Sequence, residues 1–286
     1  MPANLYALGA IALWAMLSSL GVALKHVPPF LLTGLALIIG SLLSLPFVIR
    51  DRRQWAVAPK TLALGVFTLF GFHFLLFIGL RIAPAVEVNL VNYLWPLFIV
   101  VLAPLYLPGI RLRSVHVLAV LLGFAGAAIA ILGGRETTGQ TWSAGWGYLL
   151  ALGSALVWAN FSLQTKRAAL QGQGFPTAAI GLFGLVSGLL SLLCHWALEP
   201  SASLGLRDAL LLALMGLGPL GAAFFLWDKA LKLGDARQIG ILSYLTPLGS
   251  TALLMLVSGR ALSGSIALAA VMIIGAALLG SRARQR

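Results

Sequence analysis

The residues able to do chemistry in this chain are few, and most are neutral. Trp14, Trp95 and Trp158 fall deep inside long apolar runs, and Trp227 falls toward the end of another. A buried indole N–H needs an acceptor, so each of these rings either packs beside a carbonyl or lines a polar chamber. The chamber is the expectation for Trp95 and Trp158, and both readings stay open for Trp14 and Trp227. His73 is the one histidine well inside a run. It is either a neutral imidazole bonded to the backbone of a neighbouring helix or a group that touches substrate and handles protons. Asn89, Asn92, Asn160 and Ser243, with the phenols of Tyr93 and Tyr244, add hydrogen-bonding capacity that can hold a zwitterion without fixing its charge. Glu87 and Asp228 read as the only acids close to the runs. Both flank helix ends, where capping or ion pairing competes with a role in coupling transport to protons.

This inventory suits binding rather than catalysis. There is no G-x-S-x-G elbow, no H-E-x-x-H, no C-x-x-C pair and no glycine-rich phosphate loop with its lysine. A pair of deep carboxylates, as an intramembrane aspartyl protease needs, is also missing. An enzyme is not expected, and neither is a cofactor or a metal.

The elements that must position these residues are membrane helices. The chain is 60% hydrophobic and 9% charged over 286 residues, against roughly 25% charged in soluble domains, so its solvent is lipid. The formal charge of +12 would suggest nucleic acid in a soluble protein. Here the basic residues fall in short connections, which points to membrane orientation and excludes a nucleic-acid partner. Cys194 is alone, so no intramolecular disulfide is available.

At about 20 apolar residues per span, the chain predicts ten helices, near 3–24, 30–49, 60–80, 84–107, 114–133, 145–165, 175–197, 206–229, 236–257 and 262–281. The first lacks a basic leader and is long enough to span, so it reads as part of the fold rather than a signal peptide. Val86 to Leu107, VEVNLVNYLWPLFIVVLAPLYL, carries Asn92, Tyr93, Trp95 and Pro96 near its middle. Polar groups and a helix-interrupting proline persist at that depth only where they face protein or water. The same pattern returns as Ser243-Tyr244-Leu245-Thr246-Pro247, and aligning the two also sets Arg81 on Lys232 and Ala85 on Ala236. A second echo sets Ala7 to Ser18 on Ala151 to Ser162, with Trp14 on Trp158.

The duplication predicts two repeats, 1–138 and 139–286, separated by the polar interval Gly133 to Ala144 with Arg135, Glu136, Thr137 and Thr138. Five helices is an odd number, so the second repeat must be inverted, and inverted repeats build two similar gates around one midplane site. Most basic residues, from Arg50 through Arg286, then fall on the side of both termini, leaving Lys25, Arg81, Arg135, Arg207 and Arg260 opposite. The positive-inside rule makes that first side, and both termini, cytoplasmic. Trp55, Trp142, Trp146 and Trp196 read as interfacial anchors. Gly123, Gly126, Ala127, Ala130 and Gly134 on the fifth helix, and Gly275, Ala276 and Gly280 on the tenth, predict close packing there. The inner ring is left to helices 1, 3, 4, 6, 8 and 9.

Ten helices in two inverted halves around a central cavity, the NYLWP run at Asn92 to Pro96, its SYLTP counterpart at Ser243 to Pro247 and the LGDA turn at Leu233 to Ala236 together resemble the drug/metabolite transporter superfamily in its EamA-type branch. LVNYLWP with the tryptophans at 14, 158 and 227 is most similar to the YddG-type amino-acid exporters. The resemblance implies an exporter of amino acids in the bacterial inner membrane, aromatic ones most typically, through a basket-like cavity. Trp95, Trp158 and Trp227 match aromatic cavity positions. His73 stands where relatives commonly carry an aromatic ring, a departure that would admit aliphatic, hydroxyl or charged amino acids.

The expected site therefore comprises Trp14, His73, Asn92, Tyr93, Trp95, Trp158, Asn160, Trp227, Ser243 and Tyr244, with hinges at Pro96 and Pro247 and coupling candidates Glu87, His73 and Asp228. An exporter of another small metabolite or drug is the first alternative, and a channel or passive pore the second. The partners expected are an amino acid and the bilayer, and a monomer is compatible with all of this.

Overall fold

The computed structural model describes residues 2–132, 144–258 and 264–282. Most of the predicted linker, with Gly134, Arg135, Glu136, Thr137, Thr138 and Trp142, lies outside them, as do Gly259, Arg260, Arg284 and Arg286. Among the described residues every element is helical.

The helices are α1 (Ala3–Ala15), α2 (Leu17–Ala23), α3 (Pro29–Ser41), α4 (Leu45–Arg50), α5 (Pro59–Ile82), α6 (Ala85–Asn92), α7 (Trp95–Tyr106), α8 (Ser114–Leu132), α9 (Ala144–Leu170), α10 (Ala179–Leu198), α11 (Leu206–Leu217), α12 (Ala223–Leu233), α13 (Ala236–Leu242), α14 (Leu245–Ser258) and α15 (Gly264–Arg282). Several pairs join into longer helical runs. Seven runs are long and apolar enough to cross a bilayer: Ala3–Ala23, Pro29–Arg50, Pro59–Ile82, Glu87–Tyr106, Gly145–Leu170, Ala179–Leu198 and Leu206–Leu233. The chain is a multi-pass membrane protein. The other three predicted spans fall short of that length among the described residues. Ser114–Ile129 and Gly264–Gly280 are shorter apolar helices, and the run between them is divided into α13 and α14.

Local chemistry accounts for the helix ends. Pro29 and Pro59 open α3 and α5 at the position where a missing N–H costs nothing. The Asp235 carboxylate accepts from Arg237 N–H at 2.9 Å and caps α13. Burial pushes that carboxyl up, but the hydrogen bonds and charge of Arg237 outweigh it and hold the group below its ordinary range. Gly109 and Gly172 take φ of 73° and 68° in the turns after α7 and α9, a left-handed conformation that side chains resist.

The interruptions matter more than the ends. α6 and α7 are parted by a tight turn at Tyr93-Leu94, and α13 and α14 by the same turn at Ser243-Tyr244. In each case a proline follows, Pro96 or Pro247, and neither can give an N–H to the carbonyl four residues back. The third interruption is a π turn, Gly218–Ala222, between α11 and α12, where Ala223 N–H reaches the Gly218 carbonyl five residues back.

Packing divides into two clusters. The larger gathers α1, α3, α5, α7, α9, α10, α11 and α12 around Trp14, Trp95, Trp158, Trp227 and Phe183. In the smaller, α8 packs on α15 with Val100, Ile241 and Tyr244. There a Cβ on Gly126 would lie 2.8 Å from Ile273 Cγ1 and 3.1 Å from the Ala269 carbonyl, so the small residues do permit close approach. Trp146 and Trp196 are exposed, whereas Trp55 donates its N–H to the Ala178 carbonyl at 3.1 Å.

Candidate functional site

Four helices deliver four indoles to one point. Trp14 comes from α1, Trp95 from the first turn of α7, Trp158 from mid-α9 and Trp227 from α12. All six pairs of these rings lie within contact range. The centroids are 5.2 Å apart for Trp14 and Trp227, 5.5 Å for Trp95 and Trp227, and 5.7 Å for Trp14 and Trp158. The remaining three pairs stand 6.3, 6.4 and 6.4 Å apart. Most are edge-to-face or tilted, the geometry favoured by the quadrupoles of aromatic rings. Phe224 adds a wall at 5.5 Å from Trp158 and 6.1 Å from Trp14, and Phe72 adds another at 5.6 Å from Trp158.

Two of the indoles are anchored. Trp14 Nε1 donates to the Pro219 carbonyl at 3.1 Å, inside the π turn, and Trp227 Nε1 donates to Ser162 Oγ at 3.2 Å. These are the readings left open by sequence: Trp14 stands beside a carbonyl and Trp227 beside a hydroxyl, yet both rings also border the cluster. Pro219 carried no signal in the sequence and Ser162 figured only as the end of a repeated segment, because neither residue type announces which ring it will meet.

His73 reaches this cluster by way of Phe72. Its Nδ1 is 2.6 Å from the Leu69 carbonyl of its own helix, not of a neighbour, and its ring neighbours are Phe72 and Phe77 at 5.1 and 5.8 Å. A carbonyl only accepts, so Nδ1 carries the proton and a neutral ring leaves Nε2 as an acceptor.

The remaining expected site residues are placed elsewhere or bonded to protein. Asn92 Nδ2 donates to Ser154 Oγ at 2.7 Å, which in turn donates to the Ala151 carbonyl, tying α6 to α9. Asn160 Oδ1 accepts from Tyr106 OH at 2.8 Å and from Gln164. Ser243 Oγ donates to the Gly240 carbonyl, within its own turn. Tyr244 is turned into the second cluster, against Gly123 and Phe124. Tyr93 is half-buried in the turn between α6 and α7. Glu87 occupies the first turn of α6, where a carboxylate complements the helix dipole.

Ionic ties close the bundle at both ends. On the side of the N terminus, Asp228 is enclosed and its Oδ2 receives Lys232 Nζ at 2.6 Å and Thr177 Oγ1 at 2.6 Å. Lys232 also donates to the Phe175 carbonyl at 2.7 Å and lies over the Phe175 ring at 4.2 Å. From that ring an aromatic chain leads back to the cage through Phe161, with Phe175 to Phe161 at 6.3 Å and Phe161 to Trp158 at 6.1 Å.

At the other end stands Glu199, an acid that the sequence reading did not count among those close to the runs. Its carboxylate accepts from Phe30 N–H at 3.0 Å, Leu31 N–H at 3.2 Å and Arg81 Nη2 at 2.7 Å, with His195 Nδ1 at 3.0 Å. One side chain thus caps α3 and joins the ends of α5 and α10. Its position just beyond the predicted seventh span hid it, since only the neighbouring helices make it buried.

The sequence pattern of the EamA-like transporter family matches residues 1–132 and 145–282. The aromatic amino acid exporter YddG of Ancylobacter novellus is 37% identical over 293 residues, covering 99% of this chain and 98% of its own. The Escherichia coli protein of the same name is 30% identical over 205 residues, 68% of this chain and 66% of its own. A solved crystal structure superposes with a TM-score of 0.90 at 36% identity, covering 99% of both chains.

Proposed function

The chain belongs to the EamA-like transporter family, and from that premise we propose that it exports amino acids, aromatic ones and a broader range, across a bacterial inner membrane by alternating access. The observation that carries the proposal is the four-indole cage, assembled from four separate helices and walled by Phe72 and Phe224. Such a cage offers a large apolar contact to a side chain and π faces to an ammonium group. A relative named as an aromatic amino acid exporter, aligned over nearly the whole chain, favours the same substrate class.

The architecture proposed for this activity is ten membrane helices in two inverted repeats, 1–138 and 139–286, with both termini cytoplasmic. Two observations support it. Helix breaks of the same kind precede Pro96 and Pro247, at positions that the sequence repeat makes equivalent. Long-range polar contacts also sort by end. Lys232 with Phe175, Arg237 with the Arg111 carbonyl and Lys229 over the Tyr6 ring fall on the side of the N terminus. Glu199 with Arg81 and His26 with Asp208 fall opposite.

In this account Asp228, Lys232, Thr177 and Phe175 form the inner closure, Glu199 with Arg81 and His195 staples the outer end, and the segments joined at Pro96 and Pro247 flex between them. Of the three coupling candidates, Asp228 is best placed, because a carboxylate enclosed in a closure must change its partners when that closure opens. Asn92, Tyr93, Ser243 and Tyr244 then lie at or beside the helix breaks, and Asn160 ties α9 to the end of α7.

Uptake of a panel of labelled amino acids into proteoliposomes of the purified protein, with and without a proton gradient, tests the proposal. Saturable uptake with trans-stimulation supports a carrier. Flux without saturation or counterflow would instead make the protein a passive pore.

A further inference from the structure

The four indoles are not equivalent, and the difference assigns a polarity to the cage. Trp14 and Trp227 spend their N–H groups on the Pro219 carbonyl and Ser162 Oγ. Among the described residues, Trp95 and Trp158 have no acceptor for theirs. Neither nitrogen is among the enclosed polar atoms that lack a partner, so neither N–H is sealed from its surroundings although both rings are buried. An indole N–H can only donate. Two open donors, on rings whose centroids stand 6.4 Å apart, with no Lys or Arg among the ring contacts of the cage, ask for an anionic or carbonyl acceptor. A carboxylate has two oxygens and several lone pairs, and it can take both donors at once.

We propose that Trp95 and Trp158 donate their indole N–H groups to the carboxylate of the transported amino acid, while Trp14 and Trp227, held by Pro219 and Ser162, present only their π faces. This rests on the reading of the protein as an amino-acid transporter and specifies how it tells an amino acid from the corresponding amine or amide. Ser162 becomes a positioning residue, since its hydroxyl removes the third indole from the set of free donors. The neutral donors also explain how a cage without a fixed cation selects acids: an indole N–H bonds more strongly to a charged acceptor than to a neutral one. The other charge of the zwitterion meets π faces.

The test compares L-phenylalanine with L-phenylalaninamide, which keeps the ring and the amine and lacks the carboxylate. Binding of both to the purified protein in nanodiscs gives a discrimination ratio. Trp95→Phe and Trp158→Phe each preserve an aromatic face and remove one donor. Loss of a hydrogen bond to a charged group predicts that each lowers the ratio by roughly tenfold or more. Trp14→Phe and Trp227→Phe are expected to weaken both ligands in parallel and leave the ratio unchanged.

A second measurement needs no variant. With indole nitrogens labelled, the Trp95 and Trp158 N–H resonances, two of the eight in the chain, should shift farther with phenylalanine than with the amide, whose neutral carbonyl is the weaker acceptor. If the wild-type protein binds neither ligand, the amino-acid reading itself fails. If it binds phenylalanine while Trp95→Phe and Trp158→Phe keep the full ratio, or while the N–H resonances of those two rings stay in place, the carboxylate assignment is overturned.

Discussion

Replacing Lys232 by Met removes the cation that is hydrogen-bonded to Asp228. The Asp228 side chain has no exposure and Lys232 retains 17%, so the carboxylate cannot recover its loss by hydration. Breaking a buried pair from one side typically costs about 3–5 kcal/mol. Thr177 Oγ1 still donates to the same oxygen, which places the expected loss near the lower figure, about 3 kcal/mol. The variant also frees the Phe175 carbonyl that Lys232 caps. A neutral pair, Asp228→Asn with Lys232→Met, keeps the shapes and discards both charges. It is expected to recover at least half of the loss, because a buried pair can often be replaced by neutral groups at little cost. Reversible unfolding in mixed micelles, run as a double-mutant cycle, reads both numbers. A Lys232→Met protein within about 0.5 kcal/mol of wild type, or strictly additive single effects, would refute the closure as described.

Three other substitutions probe separate parts of the account. Glu199→Ala deprives α3 of its cap and strands Arg81 and His195, and a loss of about 2 kcal/mol in thermal or chemical unfolding is expected; an unchanged midpoint would show that the staple is idle. Gly40→Ala would set a Cβ 2.7 Å from the Gly216 carbonyl and 2.8 Å from Gly221 Cα and the Leu220 carbonyl. Backbone cannot step aside, so overpacking of about 1–3 kcal/mol should exceed the helical gain of roughly 1 kcal/mol, giving net destabilisation on unfolding. Ser162→Ala leaves Trp227 N–H unpaired at a cost of about 1–3 kcal/mol, and it should raise the transport KM severalfold with insertion into the membrane unchanged. Ser162→Thr, which keeps the hydroxyl, should restore it.

Much of this site was legible because lipid makes deep polar and aromatic residues expensive. Trp14, Trp95, Trp158 and Trp227 stood out on that ground, and the prolines at 96 and 247 marked the two helix breaks. What the sequence withheld was rotation. In a helix apolar on every face, residue type does not say which side meets which neighbour, so Asn92 bonding Ser154 and Tyr244 turning toward Gly123 could not be separated from residues facing the cage. The same blindness hid Ser162 and the Pro219 carbonyl, whose importance comes from rings far away in the chain. Glu199 was missed for a related reason: a carboxylate beyond a span reads as solvated until three helix ends close around it. The ninth predicted run carries at Ser243-Tyr244 the same break that Tyr93-Leu94 places in the fourth, and the proline after each was its only mark in the sequence.

The central claim is that the cage carries substrate, and counterflow tests it most directly. Proteoliposomes preloaded with unlabelled L-phenylalanine should accumulate external labelled phenylalanine transiently and saturably. Trp158→Ala, inserted to the same level, should lose at least nine-tenths of that signal, since it removes a wall of the cage and a donor together. Equal counterflow from the variant and the wild type would contradict the account.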